Sequence, residues 1–173
     1  MYPLSLPQLH SMVQCQTEQV HLEGGMPVYT VQPRQGVDPI LFSMRRAEVR
    51  AAMNLPVVTF HKTGESPLVD AYLDSCLQVF YDLADRVEYI ELSRGGPVTA
   101  IYQDLDVFAT TADQVVQHIA QHAPFDASDP ELGYSYIFPD LDLSVWRQHL
   151  PEDGPDGKYF ATIGIGKLGY YSS

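Results

Sequence analysis

Two stretches of this chain place apolar residues at helical spacing, and each is followed by segments that alternate like strands. In residues 42–54, FSMRRAEVRAAMN, Val49 and Met53 stand four apart with Ala52 beside them, which predicts a short amphipathic helix. Ser43 is the expected N-cap, Asn54 and Pro56 the stop, and Arg45, Arg46 and Arg50 should face solvent. In residues 108–120, FATTADQVVQHIA, the buried stripe is Val115, Val116 and Ile119. Thr111 with Gln114 fits a capping box, Asp113 suits the positive first turn, and Pro124 ends the segment. At an offset of 66 residues Phe42 aligns with Phe108, Glu48 with Gln114, Val49 with Val115 and Met53 with Ile119.

β-Branched and aromatic runs predict strands at 27–31, 57–60, 68–73, 77–83, 87–92, 98–102, 134–138, 141–146 and 159–165. Ala84-Asp85 and Arg94-Gly95-Gly96-Pro97 are the expected turns. Phe80, Asp82, Leu83 and Val87 also match Phe138, Asp140, Leu141 and Val145 at an offset of 58. The pattern gives an α+β class, an antiparallel meander sheet covered by helices, in one domain over 1–173 with sub-units at 36–103 and 104–173. Leu9, Met12 and Val13 suggest a further short helix, and the tail 164–171, GIGKLGYY, reads as a last strand in which glycine permits close backbone approach.

Charge narrows the function classes. With 22 acids against 10 bases the formal net charge is −12, which opposes binding to nucleic-acid phosphates and suits a basic partner. No segment reaches the ~20 apolar residues needed to cross a bilayer as a helix, and no basic-then-apolar leader opens the chain, so the expected location is cytoplasmic. Cys15 and Cys76 lack metal-like spacing and are expected as free buried thiols in a reducing compartment.

The candidate chemistry is sparse. His118 and His122 stand i, i+4, the spacing at which two imidazoles share a metal, but the residues between them supply no glutamate and the helix face is polar, so no metal is expected. Asp126, Asp129, Glu131, Glu152, Asp153 and Asp156 lie in Pro- and Gly-rich loops without the ordered ligand spacing of a calcium loop. Gly164 to Tyr171 lack a phosphate-loop signature, and no cofactor is expected. Two catalytic constellations can be assembled from these residue types: Cys76 with His61 and Asp74, and a hydrolase-type dyad of His61 with Asp70 or Asp74. Aromatic residues are the stronger signal. Tyr134, Tyr136, Trp146 and Tyr170, with Glu152, Asp153 and Asp156, are the expected partner-binding residues, because Tyr and Trp anchor interfaces and an acidic rim complements a basic surface.

Residues 43–56, SMRRAEVRAAMNLP, and more loosely 110–119, TTADQVVQHI, resemble the helix-plus-strands repeat of β-lactamase-inhibitor-like domains and related outer-membrane assembly lipoproteins. In general character, a small acidic α+β chain rich in aromatics and without catalytic motifs, the sequence is also similar to immunity proteins that neutralise bacterial toxins. That resemblance implies a non-catalytic inhibitor in a one-to-one complex with a basic toxin domain.

Overall fold

A computed structural model describes residues 25–172, and in it the alternating segments become strands close to the expected bounds. In chain order the elements are β1 (Val28–Gln32), β2 (Gly36–Val37), β3 (Ile40–Leu41), α1 (Arg46–Met53), β4 (Val58–His61), β5 (Leu68–Tyr72), β6 (Leu77–Tyr81), β7 (Val87–Ser93), β8 (Thr99–Tyr102), β9 (Leu105–Asp106), α2 (Ala112–Ala120), β10 (Ser135–Phe138), β11 (Leu143–Trp146) and β12 (Thr162–Gly166). Helices and strands are mixed in the α+β manner, with the strands in two sheets. The expected helix at Leu9 to Val13 lies outside the described residues.

The larger sheet has seven strands in the order β10-β11-β12-β7-β6-β5-β4, and all its pairings are antiparallel. Strands β4 to β7 pair in chain order, as do β10 to β12, and the two runs meet where β12 joins β7. The smaller sheet, β3-β2-β1-β8-β9, contains one parallel pair, β1 with β8. Register decides what each face holds. Val79, Ile90, Ile165 and Leu143 form one cross-strand row and are all buried in the core. The adjacent row, Gln78, Glu91, Gly164 and Ser144, points to the opposite face, since successive strand residues alternate. Val49 and Met53 of α1, Val115 and Ile119 of α2, and Tyr29, Val31, Ala100 and Tyr102 of the smaller sheet complete the same core. Removing apolar area of this kind from water is the main driving force, at about 25 cal/mol per Å².

Several expectations are corrected. Helix α1 starts two residues later than Ser43 implies: Arg45 is the N-cap, and its backbone N–H donates to Glu48 Oε2 at 2.7 Å. Asn54 closes the helix in the left-handed conformation, which asparagine tolerates better than most residues. Arg46 and Arg50 do not simply face solvent but turn onto a carboxylate in β5. The run 141–146 opens with a 3-10 turn at Pro139–Leu141 before β11 begins. Strand β12 ends at Gly166, so the rest of the tail is a turn rather than a strand. Cys76 is buried, as expected, but disulfide-bonded rather than a free thiol, and Cys15 lies outside the described residues.

The two sets of sequence matches fare differently. The helix matches at offset 66 fall on equivalent positions, with Val49, Val115, Met53 and Ile119 all buried. The matches at offset 58 do not. They equate β6 with β10, yet β6 adjoins the strand at the β7/β12 junction while β10 lies one strand further out. Phe138 sits in the core, whereas Phe80 packs edge-on against Tyr89 on the other sheet face.

Candidate functional site

Three polar clusters stand out, and the third gathers four of the seven residues expected to bind a partner. The first lies under α1. Asp70 of β5 has no exposed surface and would carry a heavy desolvation cost if unpaired. Arg50 Nε donates to its Oδ2 at 2.8 Å and Arg50 Nη2 to its Oδ1 at 2.8 Å. Arg46 Nη1 reaches Oδ1 at 3.1 Å, Thr59 Oγ1 donates at 3.0 Å, and the Tyr81 hydroxyl lies at 3.3 Å. Arg46 also pairs with Asp85 at 2.8 Å and lies 4.1 Å over the Tyr81 ring. Burial pushes the Asp70 carboxyl up, but the hydrogen bonds from Arg50 and Thr59 and the charges of both arginines outweigh it and hold its pKa below the usual carboxylate range. The basic patch of α1 is thus largely neutralised in place.

The second cluster fastens the tail. Asp142, fully buried and in the left-handed conformation, accepts from the backbone N–H groups of Gly169 at 3.0 Å and Tyr171 at 3.1 Å, and from Arg34 Nε at 3.1 Å. This lays Tyr170 against Tyr89, with ring centroids 4.8 Å apart, and sets the hydroxyls of Tyr89, Ser144 and Tyr171 in a triangle 2.8 to 3.2 Å on a side. Burial is the chief reason that the Tyr171 phenol is pushed up to about 12 and that of Tyr89 well above its ordinary value.

The third cluster is built on Arg147, just past the end of β11. Its side chain is buried and, among the described residues, meets no carboxylate within ion-pair distance. Nε donates to the Gly133 carbonyl at 2.8 Å and Nη1 to the Gly157 carbonyl at 2.8 Å. One guanidinium therefore joins the loop before β10 to the loop before β12. Gly157 is required there, because a Cβ would fall 1.9 Å from the Leu150 carbonyl oxygen. On the first loop stand Asp126, Asp129, Glu131 and the half-exposed Tyr134; on the second stand the exposed Glu152, Asp153 and Asp156. Asp153 is fixed by accepting from the Leu150 N–H at 2.9 Å, and Asp126 by accepting from the Ser128 N–H and hydroxyl.

Of the seven residues expected to bind a partner, Tyr134, Glu152, Asp153 and Asp156 lie on these two joined loops. Tyr136 turns inward between Phe125 and Phe160, at 5.2 and 6.0 Å. Trp146, opposite Ser135 and Thr162, points to the other sheet face from Tyr136, and Tyr170 lies with Tyr89 on that face too. These three do not join the acidic surface. Arg147 was missed, although it is the one arginine in residues 103–172, among eleven acids and two lysines.

The other constellations are dispersed. His61 Nδ1 bonds the Ser66 carbonyl at 2.6 Å, while Asp70 is committed to the arginines of α1, and neither Asp70 nor Asp74 is hydrogen-bonded to the imidazole. His118 and His122 face one another edge-on at 6.1 Å beside Tyr102, and no group of three or more His, Cys, Asp or Glu side chains among the described residues is placed to hold a metal ion. No helix among the described residues is long and apolar enough to cross a membrane. Compared with known proteins, the chain matches no family model, no curated protein and no solved structure.

Proposed function

We propose that this protein is a non-catalytic binding protein that captures a basic protein partner, in the manner of an immunity protein that neutralises a toxin domain one-to-one. The observation that carries the reading is the junction at Arg147. It ties the loop that carries Tyr134 to the loop that carries the exposed Glu152, Asp153 and Asp156, and it spends the local arginine on backbone carbonyls rather than on those acids. Residues 103–172 then carry eleven acids against three bases, net −8, while residues 25–102 carry nine against seven, net −2. An uneven field of this kind steers a cationic partner toward the acidic end and raises its association rate, most strongly at low salt. The helix-plus-strands halves at 36–103 and 104–173 are read as tandem units of one meander-based fold, with the second carrying the binding surface. A disulfide at Cys76 favours an oxidising compartment over the cytoplasmic location expected from the sequence.

The test uses the product of the adjacent reading frame as titrant. Wild type should bind it with one-to-one stoichiometry and suppress its toxicity on co-expression. The triple reversal E152K/D153K/D156K should weaken binding about tenfold or more, mainly through the on-rate. Equal affinity of the triple variant would remove the acidic loops from the interface, and failure of wild type to protect would remove the immunity reading.

A further inference from the structure

We propose that β4 is a self-pairing edge, along which two copies of this chain join antiparallel about a twofold axis, merging two seven-stranded sheets into one of fourteen. The larger sheet has two ends, and they are finished differently. At the β10 end the outer side of the strand is closed by the chain itself, since the Asp126 N–H donates to the Ile137 carbonyl at 2.8 Å and Phe125 packs on Tyr136 and Phe138. At the β4 end no described backbone group bonds the outer side of Val58–His61. Val58 is 68% exposed, and Thr59 and His61 are exposed beside it. Such an edge is a template for another strand.

Charge selects a second copy as the occupant. Residues 121–172, with eight acids against three bases and so net −5, supply β10 to β12 at the far end of the sheet from β4, while Asp104, Asp106 and Asp113 of the acidic half lie on or beside β9 and α2. Pairing two β4 strands sets β12 of one copy nine strand spacings from β12 of the other, roughly 43 Å at about 4.8 Å each and several times the Debye length of about 8 Å, so the acidic β10 to β12 ends are kept apart. Pairing through β10 would instead bring the two acidic halves into contact. The cation exposed at the β4 edge, Arg50, is already held by Asp70 and by Thr59 Oγ1, so a twofold there apposes neutralised guanidinium groups rather than bare charges. Pro56 and the four-residue length limit how far pairing can run and leave Val58–His61 itself unblocked.

Register follows from the pleat. Residues directly opposite in a continuous sheet share a face, so the twofold must pass through a residue and not between two. Centred on Thr59, it sets Val58 opposite Phe60 of the other copy, twice. Both side chains lie on the face away from the helices, because Val58 pairs with Ala71 and Phe60 with Val69 in β5. Centred on Phe60, it would oppose Val58 to Lys62. Aromatic with β-branched is the favoured cross-strand pair, which selects the Thr59 centre.

Sedimentation equilibrium of the full chain, from low micromolar concentration to the solubility limit, tests this. Wild type should approach twice 19.4 kDa. Val58→Lys should sediment as the monomer, because an edge lysine beside Phe60 of the other copy blocks the pairing. Leu83→Lys, at a turn residue 97% exposed, should remain dimeric. A wild-type monomer throughout, or a dimer that survives Val58→Lys, overturns the proposal. Should Val58→Lys fail to fold, amide exchange in the wild type decides: protection at residues 58–61 should rise with concentration, and concentration-independent exchange there overturns the pairing.

Discussion

Around α1 a buried carboxylate draws its cations inward; just past β11 a buried cation is met by carbonyls. Asp70 collects Arg46, Arg50, Thr59 and Tyr81, so opposite charges cancel within the fold and the surrounding surface is left nearly balanced. Arg147 collects the carbonyls of Gly133 and Gly157, so the acids of the adjoining loops keep their charge for solvent or for a partner. One region converts charge into rigidity beneath a helix. The other converts it into an external field, and the arginine that could have muted that field serves as a tie between loops.

The sharpest way to break the comparison is Asp70→Ala. It leaves two guanidinium groups without their shared acceptor, and thermal or urea unfolding should show a loss of about 3–5 kcal/mol. Arg147→Met orphans one buried and one part-buried carbonyl and should cost about 1–3 kcal/mol. Its particular signature is faster amide exchange in both the 131–135 and 154–159 loops while β5 stays protected; equal loosening everywhere would mean that Arg147 is not the tie.

A smaller effect separates the two clusters by pH. Because the folded pKa of Asp70 is depressed, its contribution is complete above the unfolded carboxylate value of about 3.9 and is lost as pH falls from there through the folded value. Asp70→Asn should flatten that acid limb in denaturation curves taken at successive pH, with little change in slope above about pH 5. At the alkaline end the sign reverses. Tyr171, pushed up to about 12, contributes stability that is complete below the unfolded tyrosine value of about 10 and declines as pH rises toward 12. Tyr171→Phe should reduce that decline, and tyrosinate absorbance followed by pH checks it. The smallest expected change is that of the triple loop reversal on stability, about 1 kcal/mol, since Glu152 and Asp156 are exposed and only Asp153 gives up a capping bond, the one from the Leu150 N–H. A large loss of stability would mean that these acids hold the fold rather than await a partner.

What could be read in the sequence was periodic. Helices and strands announce themselves through spacing, and Val49, Met53, Val115 and Ile119 lie in the core because i, i+4 placement leaves little choice of face. The exposed acids of PEDGPDG were equally readable, because Pro and Gly fix a turn and Asp and Glu solvate it. Long-range contacts were not. Nothing local says that Arg46 and Arg50 bend toward a carboxylate 24 and 20 residues away, that Arg147 spans two loops, or that β12 returns beside β7. Tyr136 shows the limit for aromatics: composition marks it as a possible anchor, and only register turns it inward. The one local hint of the first cluster was an acid inside the apolar run LVDAY.

In β12 the side chains that are absent matter as much as those present. A Cβ on Gly164 would lie 1.7 Å from the Tyr89 hydroxyl oxygen, and one on Gly166 would lie 2.3 Å from the Cβ of Tyr170. The two glycines are the cast in which the two tyrosines are moulded. Positions 89 and 164 should therefore vary as a pair among descendants of this chain, Gly164 being released to become alanine or serine where the ring at 89 shrinks, while Gly166 should persist whatever side chain stands at 170, since its conflict is with the Cβ there; where the rings persist the pattern G-x-G followed four residues later by Tyr should persist with them. That coupling offers a signature by which distant kin could be recognised after the remaining sequence has diverged.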